Sequence, residues 1–295
     1  MKYVITVNPH GGKKLGPRLL NRVKPLFEAE EVDLFVIETT YAGHAQDLAH
    51  QLDFSEFDGF LAIGGDGTLH EVVNGMLSRP DKQRIPIGII PGGSGNSYMH
   101  DLELTDPIKA AKAIIQGNTR IVDAARVEVS HVVKYAMNVI GWGLVTDVGR
   151  NAERHRWLGT NRYTIISIIE VMRQRIRSAA LLMDDKKIED EFTFIIACNS
   201  LHVGKGMKMA PKAKLDDGLI DVLVVRSGVS RGRLLQILPK LFKGTHIDEP
   251  EVEYYQTSEF SLIPQKDEIL NIDGEMLGST PITVKMLPKV IEIYS

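Results

Sequence analysis

Apolar positions follow two different rhythms along the chain. In the first third, short apolar runs alternate with helical patterns. Residues 3–7, 33–39, 60–63 and 85–91 read as strands, and 17–27, 42–52 and a stretch near 68–78 read as helices. Strands separated by helices of about ten residues predict a parallel sheet flanked by helices. After 121–129 the texture changes. The runs 134–140, 179–183, 191–198, 218–225, 259–263 and 283–286 are separated mainly by turns, which predicts a mostly antiparallel second region. Two helical insertions, at 161–175 and 231–243, interrupt it. The expected fold class is therefore an N-terminal parallel α/β domain over 1–123 followed by a mainly antiparallel β-sandwich over 124–288, with the last strand, 289–295, able to pair back onto the first domain. No internal repeat or low-complexity stretch interrupts this order.

A length of 295 residues suits two domains. With 43% hydrophobic and 25% charged residues and a net charge of −3, the composition is that of a soluble globular protein. It argues against a disordered or nucleic-acid-coating chain. The one cysteine, Cys198, lies inside an apolar run, so an inert buried thiol in a reducing compartment is expected. M-K-Y-V-I-T-V-N-P turns polar too soon for a signal peptide, and no apolar run reaches the length of a membrane span. The expected location is cytoplasmic, with peripheral contact at membrane surfaces.

Ligands of parallel α/β sheets bind at the carboxyl ends of the strands, and the informative residues fall there. N-P-H-G-G (8–12) follows the first strand, G-G-D-G-T (64–68) the third and P-G-G-S-G-N (91–96) the fourth. Each turn can bring bare backbone N–H groups close to an anion. The chain has no G-x-x-x-x-G-K-[ST], and P-G-G-S-G-N-S-Y lacks the third glycine of a dinucleotide fingerprint, so the cradle is of another type. A helix starting near Thr68 would offer its first N–H groups to phosphate. Beside it, Asp66 could bind Mg²⁺ or take a proton from an attacking hydroxyl. For a single such loop, an aspartate in a tight turn is the plainer reading. Three loops at strand ends weigh against it.

N-P-H-G-G, G-G-D-G-T-L-H-E-V-V-N-G (64–75), P-G-G-S-G-N, A-P-x-A-x-L-D-D-G (210–218) and N-I-D-G-E (271–275) occur in this order. The ensemble resembles the diacylglycerol kinase catalytic-domain superfamily, which includes diacylglycerol, ceramide and sphingosine kinases. NAD kinases and phosphofructokinases look similar at G-G-D-G-T but lack the partner motifs in this arrangement. The resemblance implies transfer of the γ-phosphoryl group of ATP to a lipid hydroxyl, with Mg²⁺, in a cleft between an α/β domain and a β-sandwich. Carried over by motif, Asn8, Gly65, Gly67, Thr68, Ser94 and Gly95 would bind nucleotide, joined by Thr39. Asp66 would be the catalytic carboxylate, as general base or Mg²⁺ organiser, and Glu275 would complete the site. The stretch 142–163 resembles sphingosine kinases and implies that Arg156 and Arg162 face the ATP phosphates; two solvated arginines are the alternative. By the same resemblance Asp217, with the carbonyls of Lys214 and Leu219, would hold a structural Mg²⁺. Asp123 would join a water network to that ion, or be an ordinary strand-end carboxylate.

Two features bear on the acceptor. Ser97 stands where many bacterial diacylglycerol kinases carry Asp, which leans towards sphingosine kinases. Gly149 stands where those enzymes place an acidic residue against the amino-alcohol head, although Asp147 could substitute. The histidines show no metal-ligand spacing; His70 is expected to be structural and His44 to support its loop. The helix at 231–244 could lie on anionic lipid, or pack on the sandwich as the plainer alternative. The expected function is thus an ATP- and Mg²⁺-dependent lipid kinase acting on a lipid substrate at a membrane surface, without nucleic acid, with a homodimer left open. A kinase of a soluble alcohol such as NAD, or a non-catalytic lipid- or nucleotide-binding relative, are the rivals. Asp66→Asn is expected to abolish turnover and leave the thermal midpoint nearly unchanged.

Overall fold

The computed structural model describes residues 1–9, 14–93, 95–129, 131–184, 186–204 and 206–295, without the side chains of Arg156, Thr160 and Asn161. Contacts divide the chain into two compact units. One comprises Met1–Ala124, Gly204 and Gly206, and Pro288–Ser295; the other comprises Ala125–Val203 and Met207–Leu287.

The first unit is built on β1 (Lys2–Val7), α1 (Gly16–Ala29), β2 (Asp33–Glu38), α2 (His44–Gln51), β3 (Gly59–Gly64), α3 (Asp66–Leu77) and β4 (Ile87–Pro91). α4 (Ser97–Asp101), α5 (Pro107–Gln116) and the start of β5 (Thr119–Val129) follow. Its sheet runs β4–β3–β1–β2, all parallel, with Ile5 opposite both Leu61 and Val36. β1, β3 and β4 are apolar at almost every position because helices cover both sheet faces. β2 is at the edge and exposes Phe35 and Val36. α1 buries Leu19, Val23 and Phe27, one stripe at four-residue spacing, against Tyr3, Ile5 and Leu61. α5 was not read from the apolar rhythm, although its ends carry standard signals. The Asp106 carboxylate accepts the N–H groups of Ile108 and Lys109, and Gly117 ends the helix at φ 75°.

The second unit contains the rest of β5, then β6 (Val132–Ala136), β7 (Val139–Gly143), α6 (Leu144–Arg154), a 3₁₀ turn (Arg156–Asn161), α7 (Arg162–Arg173), β8 (Arg177–Met183) and β9 (Lys186–Cys198). There follow β10 (His202–Val203), β11 (Met207–Lys208), β12 (Ile220–Arg226), α8 (Arg231–Ile237), β13 (Glu253–Thr257), β14 (Glu259–Pro264), β15 (Ile269–Ile272), β16 (Glu275–Ser279) and β17 (Ile282–Tyr294). The strands are antiparallel in a sandwich-like arrangement. β9 links its parts, pairing with β8 through Lys186–Phe192 and with β7 and β12 beyond. Inside lie Trp142, Phe192, Ile195, Val222, Phe260 and Leu270.

Three sequence expectations change in detail. The run 134–140 is two strands, because the chain breaks at Met137–Asn138, where a carboxylate from the 273 turn takes the backbone N–H groups. The insertion at 231–243 is α8 followed by a 3₁₀ turn, Leu238–Phe242; Pro239 lacks the N–H that would continue an α-helix. The run 283–286 and the final strand are one 13-residue strand, β17. Its end belongs to the first unit, where Ile293 pairs in parallel with Ile87 of β4.

Candidate active site

The glycine loops after β3 and β4 are stitched together at the backbone. Gly92 donates its N–H to the Gly64 carbonyl at 2.7 Å. A Cβ on Gly65 would lie 2.9 Å from the Gly93 Cα, and one on Gly93 would lie 2.5 Å from the Gly65 Cα. Neither position has room for a side chain. Asn96, in the left-handed region at φ 52°, closes the second loop: Oδ1 accepts the Gly93 N–H at 3.0 Å and Nδ2 donates to the Gly93 carbonyl at 3.1 Å. Ser94 lies outside the described residues, as do His10, Gly11 and Gly12 of the first loop.

Asp66 is the first residue of α3 and is half-buried. Its Oδ2 accepts the Ser97 N–H at 2.9 Å and the Ser97 hydroxyl at 3.1 Å, and Oδ1 accepts the Tyr98 N–H at 3.1 Å. The carboxylate therefore caps the start of α4. The Ser97 hydroxyl also lies 3.1 Å from the Gly204 carbonyl. Gly95 stands against the same group, since a Cβ there would meet Asp66 Oδ2 at 3.1 Å. Thr68 packs over Gly64, where a Cβ would lie 2.1 Å from its hydroxyl oxygen. Gly67 is half-buried in the first turn of α3.

The first loop and the segment after β2 adjoin one another. Thr39 is buried and gives both its N–H, at 2.9 Å, and its hydroxyl, at 3.4 Å, to the Val7 carbonyl, one residue before Asn8. Asn8 itself is half-buried, and its carbonyl packs on Gly16, the start of α1, where a Cβ would come within 2.4 Å. His44 Nδ1 accepts the Thr40 N–H at 3.1 Å and the ring stacks on Tyr41, a loop-supporting role. Sequence reasoning missed Glu71. Its carboxylate accepts the N–H groups of Gly43 at 3.0 Å and Ala45 at 3.2 Å, so α3 caps α2. The signal was available: Glu71 lies one turn along the helix that Asp66 starts, opposite an uncapped G-H-A. His70 is buried, with its carbonyl accepting Asn74 Nδ2 at 2.8 Å.

In the second unit, Glu275 opens β16 and is exposed. The aspartate before it was also missed. Asp273, at φ 52°, accepts the N–H groups of Met137, Asn138 and Val139 at 2.8–2.9 Å and donates its own N–H to the Val139 carbonyl. The D-G-E turn is thus pinned to the loop between β6 and β7. Arg162 pairs with Glu153 at 2.7 Å and lies over the Tyr163 ring. The Arg156 side chain is outside the described set. Asp123, in the first unit, is wholly buried and accepts the Lys289 N–H at 2.6 Å, anchoring the end of β17.

At the D-D-G turn, Asp217 is exposed and its Oδ1 accepts the Leu219 N–H at 3.0 Å. Among the described residues no three His, Cys, Asp or Glu side chains form a metal cage. One carboxylate oxygen with main-chain carbonyls is still a hard-oxygen donor set of the kind Mg²⁺ accepts when water completes its shell. Nearby, burial pushes the Asp221 carboxyl up to about 6, against the Tyr254 hydroxyl and Gln256 amide that donate to it.

Asp147 is buried and saturated by arginine: Arg150 meets Oδ1 at 2.9 Å and Arg177 meets Oδ2 at 2.7 Å. At Gly149 a Cβ would lie 2.7 Å from Met276 Cε and 2.9 Å from Asn271 Nδ2, so an acidic side chain there would displace both. The helix at 231–244 packs inward: Leu234 and Ile237 join Leu223 and Val225 in a core cluster.

Comparison with known families decides the lineage. The family described as "Diacylglycerol kinase catalytic domain" matches residues 2–127, and "YegS C-terminal NAD kinase beta sandwich-like domain" matches residues 138–295. The chain belongs to the diacylglycerol kinase superfamily. Within this kinase family, sphingosine kinase 1 of Arabidopsis thaliana is 28% identical over 351 aligned residues, covering 99% of this chain and 72% of the plant protein. Diacylglycerol kinase of Bacillus subtilis (strain 168) is 27% identical over 281 residues, covering 94% of this chain and 90% of its own. The crystal structure of a diacylglycerol kinase from Bacillus anthracis str. Sterne superposes with a TM-score of 0.82 at 25% identity, covering 99% of this chain and 96% of that one. The parallel α/β domain and the sandwich-like domain are thus the architecture of diacylglycerol kinase-like proteins.

Proposed function

We propose that this member of the kinase family is a lipid kinase that transfers the γ-phosphoryl group of ATP to a lipid hydroxyl. The observation that carries the reading is the pair of backbone-stitched glycine loops with Asp66 held between them. Phosphoryl transfer asks a protein mainly for alignment and charge neutralisation. Asn8, Thr39, Gly65, Gly67, Thr68, Ser94 and Gly95 are the proposed nucleotide contacts, with Arg156 and Arg162 as guanidinium partners for phosphate. Bound Mg²⁺ would neutralise developing phosphate charge. A structural Mg²⁺ would be held by Asp217 and the Lys214 and Leu219 carbonyls.

Asp66 is assigned the proton of the acceptor hydroxyl. Three donors from Ser97 and Tyr98 fix its plane; Oδ2 accepts two of them and Oδ1 one, which leaves Oδ1 a lone pair for that proton. Glu275 is proposed as the second acidic group. For the acceptor, Asp147 favours a neutral alcohol such as diacylglycerol over a sphingoid base. Both its oxygens already hold a guanidinium: Arg150 and, at 3.9 Å, Arg175 lie on Oδ1 and Arg177 on Oδ2, and Arg177 also pairs with Glu268, so three arginines against two carboxylates leave a net positive cluster unsuited to an ammonium headgroup.

The test is incubation with labelled ATP, Mg²⁺ and a total lipid extract, with NAD in a parallel arm. The expected product is a labelled phospholipid, and label in NAD alone would overturn the lipid assignment. Asp66→Asn is expected to abolish labelling. It also costs about 1–3 kcal/mol of stability, because an amide turns one acceptor into a donor against Ser97. This corrects the expectation of an unchanged midpoint. Ser97→Ala removes one donor, lowers stability by about 1 kcal/mol and retains turnover, which separates chemistry from folding.

A further inference from the structure

Asp221 is a carboxylate set into an apolar strand. Ile220, Val222 and Val224 of β12 enter the core that holds Trp142, whereas Leu223 and Val225 join Cys198, Met209 and Ala210 on the other side. By the alternation of a strand Asp221 shares the Leu223 side, between Cys198 of β9 and Gln256 of β13. Its exposure is 0%. Oδ1 accepts the Tyr254 hydroxyl at 2.6 Å and the Gln256 amide at 3.0 Å. Oδ2 is sealed from solvent and meets no donor among the described residues. Two neutral donors on one oxygen leave a buried carboxylate charge largely uncompensated.

The same tyrosine ties Asp221 to the loop that carries the D-D-G turn. While donating to Asp221, the Tyr254 hydroxyl accepts the Lys212 N–H at 3.2 Å. Lys212 opens the run that holds Lys214, Asp217 and Leu219. Asp217 and Lys212 are charged groups whose fields reach Asp221, and they act in opposite senses. Asp217 adds a like charge, and the Lys212 ammonium is spent on solvent and on the Tyr254 ring, 5.2 Å from its centroid. A divalent cation at Asp217 is half neutralised by that one carboxylate, and Asp221 carries the second negative charge. Groups that touch no metal still set metal affinity through charge and hydrogen bonding. We propose that Asp221 is the buried counter-charge of a divalent cation at the D-D-G turn, a positioning residue that raises the ion's affinity without ligating it. The proposal rests on the assignment of Mg²⁺ to Asp217 and the Lys214 and Leu219 carbonyls. The coupling is mutual: the ion offsets the burial of Asp221, so binding the ion stabilises the fold.

Purified full-length protein, stripped by chelator, is titrated without ATP in two ways. Mg²⁺ is followed by the thermal midpoint, and Mn²⁺ by the electron-spin signal of the free ion. Wild type is expected to bind the ion and gain thermal stability, and Asp217→Asn to lose both responses. Asp221→Asn keeps the side-chain shape and an oxygen for Tyr254 and Gln256. It weakens ion affinity by roughly tenfold or more, while its metal-free midpoint stays at or above that of wild type because the buried charge is gone. Asp221→Ser removes the same charge with a smaller side chain, which keeps the measurement decisive where the amide variant folds poorly. Combining Asp217→Asn with Asp221→Asn brings no further loss of affinity, since both act on one ion. Equal ion affinity in wild type and the Asp221 variants would overturn the proposal and leave the Asp217 assignment standing. So would a metal-free midpoint that falls as far as the metal-loaded one, the mark of a hydrogen-bond partner alone. A wild type indifferent to both ions would overturn the two together. No turnover enters these measurements, so the kinase assignment is judged separately.

Discussion

His246 shows how a single buried group couples this fold to pH. It is 2% exposed, with Nε2 at 2.9 Å from the Met209 carbonyl. Burial holds its imidazole below the ordinary histidine range, with the Met209 hydrogen bond opposing. A depressed folded value means that the unfolded chain binds the proton more readily. The stabilisation is therefore present above the unfolded value, about 6.5, and is lost as pH falls from there through the folded one. Melting points measured between about pH 7.5 and 5.5 should fall more steeply for wild type than for His246→Gln. Among site residues, the sequence exposed those whose motif demands them, such as Asp66 and Gly65. It hid those whose role depends on where a distant loop arrives. Asp273 meets Met137–Val139 from 134–136 positions away, and nothing local in N-I-D-G-E announces that contact.

At the level of elements, side chains on one helix cap the next. Glu71 of α3 satisfies the first N–H groups of α2, whose preceding Gly43 has no side chain to do so. Glu71→Ala should cost about 1–2 kcal/mol in denaturant unfolding and speed amide exchange at Gly43 and Ala45. The loops after β3 and β4 carry a second coupling. Because Gly65 and Gly93 meet Cα to Cα, an alanine at either opens the same contact. Gly65→Ala and Gly93→Ala should each destabilise by about 1–3 kcal/mol, and the double variant should fall short of their sum. Elements were legible where apolar period and length agreed, as for β1, α1, β3 and α3. α5 was missed because the caps, rather than the stripe, mark it. β6 and β7 were merged because an apolar run conceals a break made by a tertiary contact.

For the molecule as a whole, the parallel-then-antiparallel order was readable because strands buried on both faces and strands joined by turns have different textures. The continuity of β17 was not, since Pro288 interrupts its apolar alternation. Its last residues return to the opening unit. Ile291, Ile293 and Tyr294 are at most 5% exposed, and Tyr294 stands edge-on to Tyr3 with ring centroids 5.9 Å apart. Burying three such side chains contributes roughly 5–9 kcal/mol, comparable with the whole stability of a typical domain, about 5–15 kcal/mol. Deleting 288–295 should therefore unfold Met1–Ala124, read as proteolysis of that region in the truncated chain. The same return has a consequence in time. On the ribosome, Ile293 cannot reach Ile87 until β17 has been made, and at roughly 5–20 residues per second the opening sheet waits about ten seconds or more after β4 appears. The opening unit thus has to wait for a strand made long after its own first strands, and until then its sheet offers the β4 edge to chaperones or to neighbouring chains.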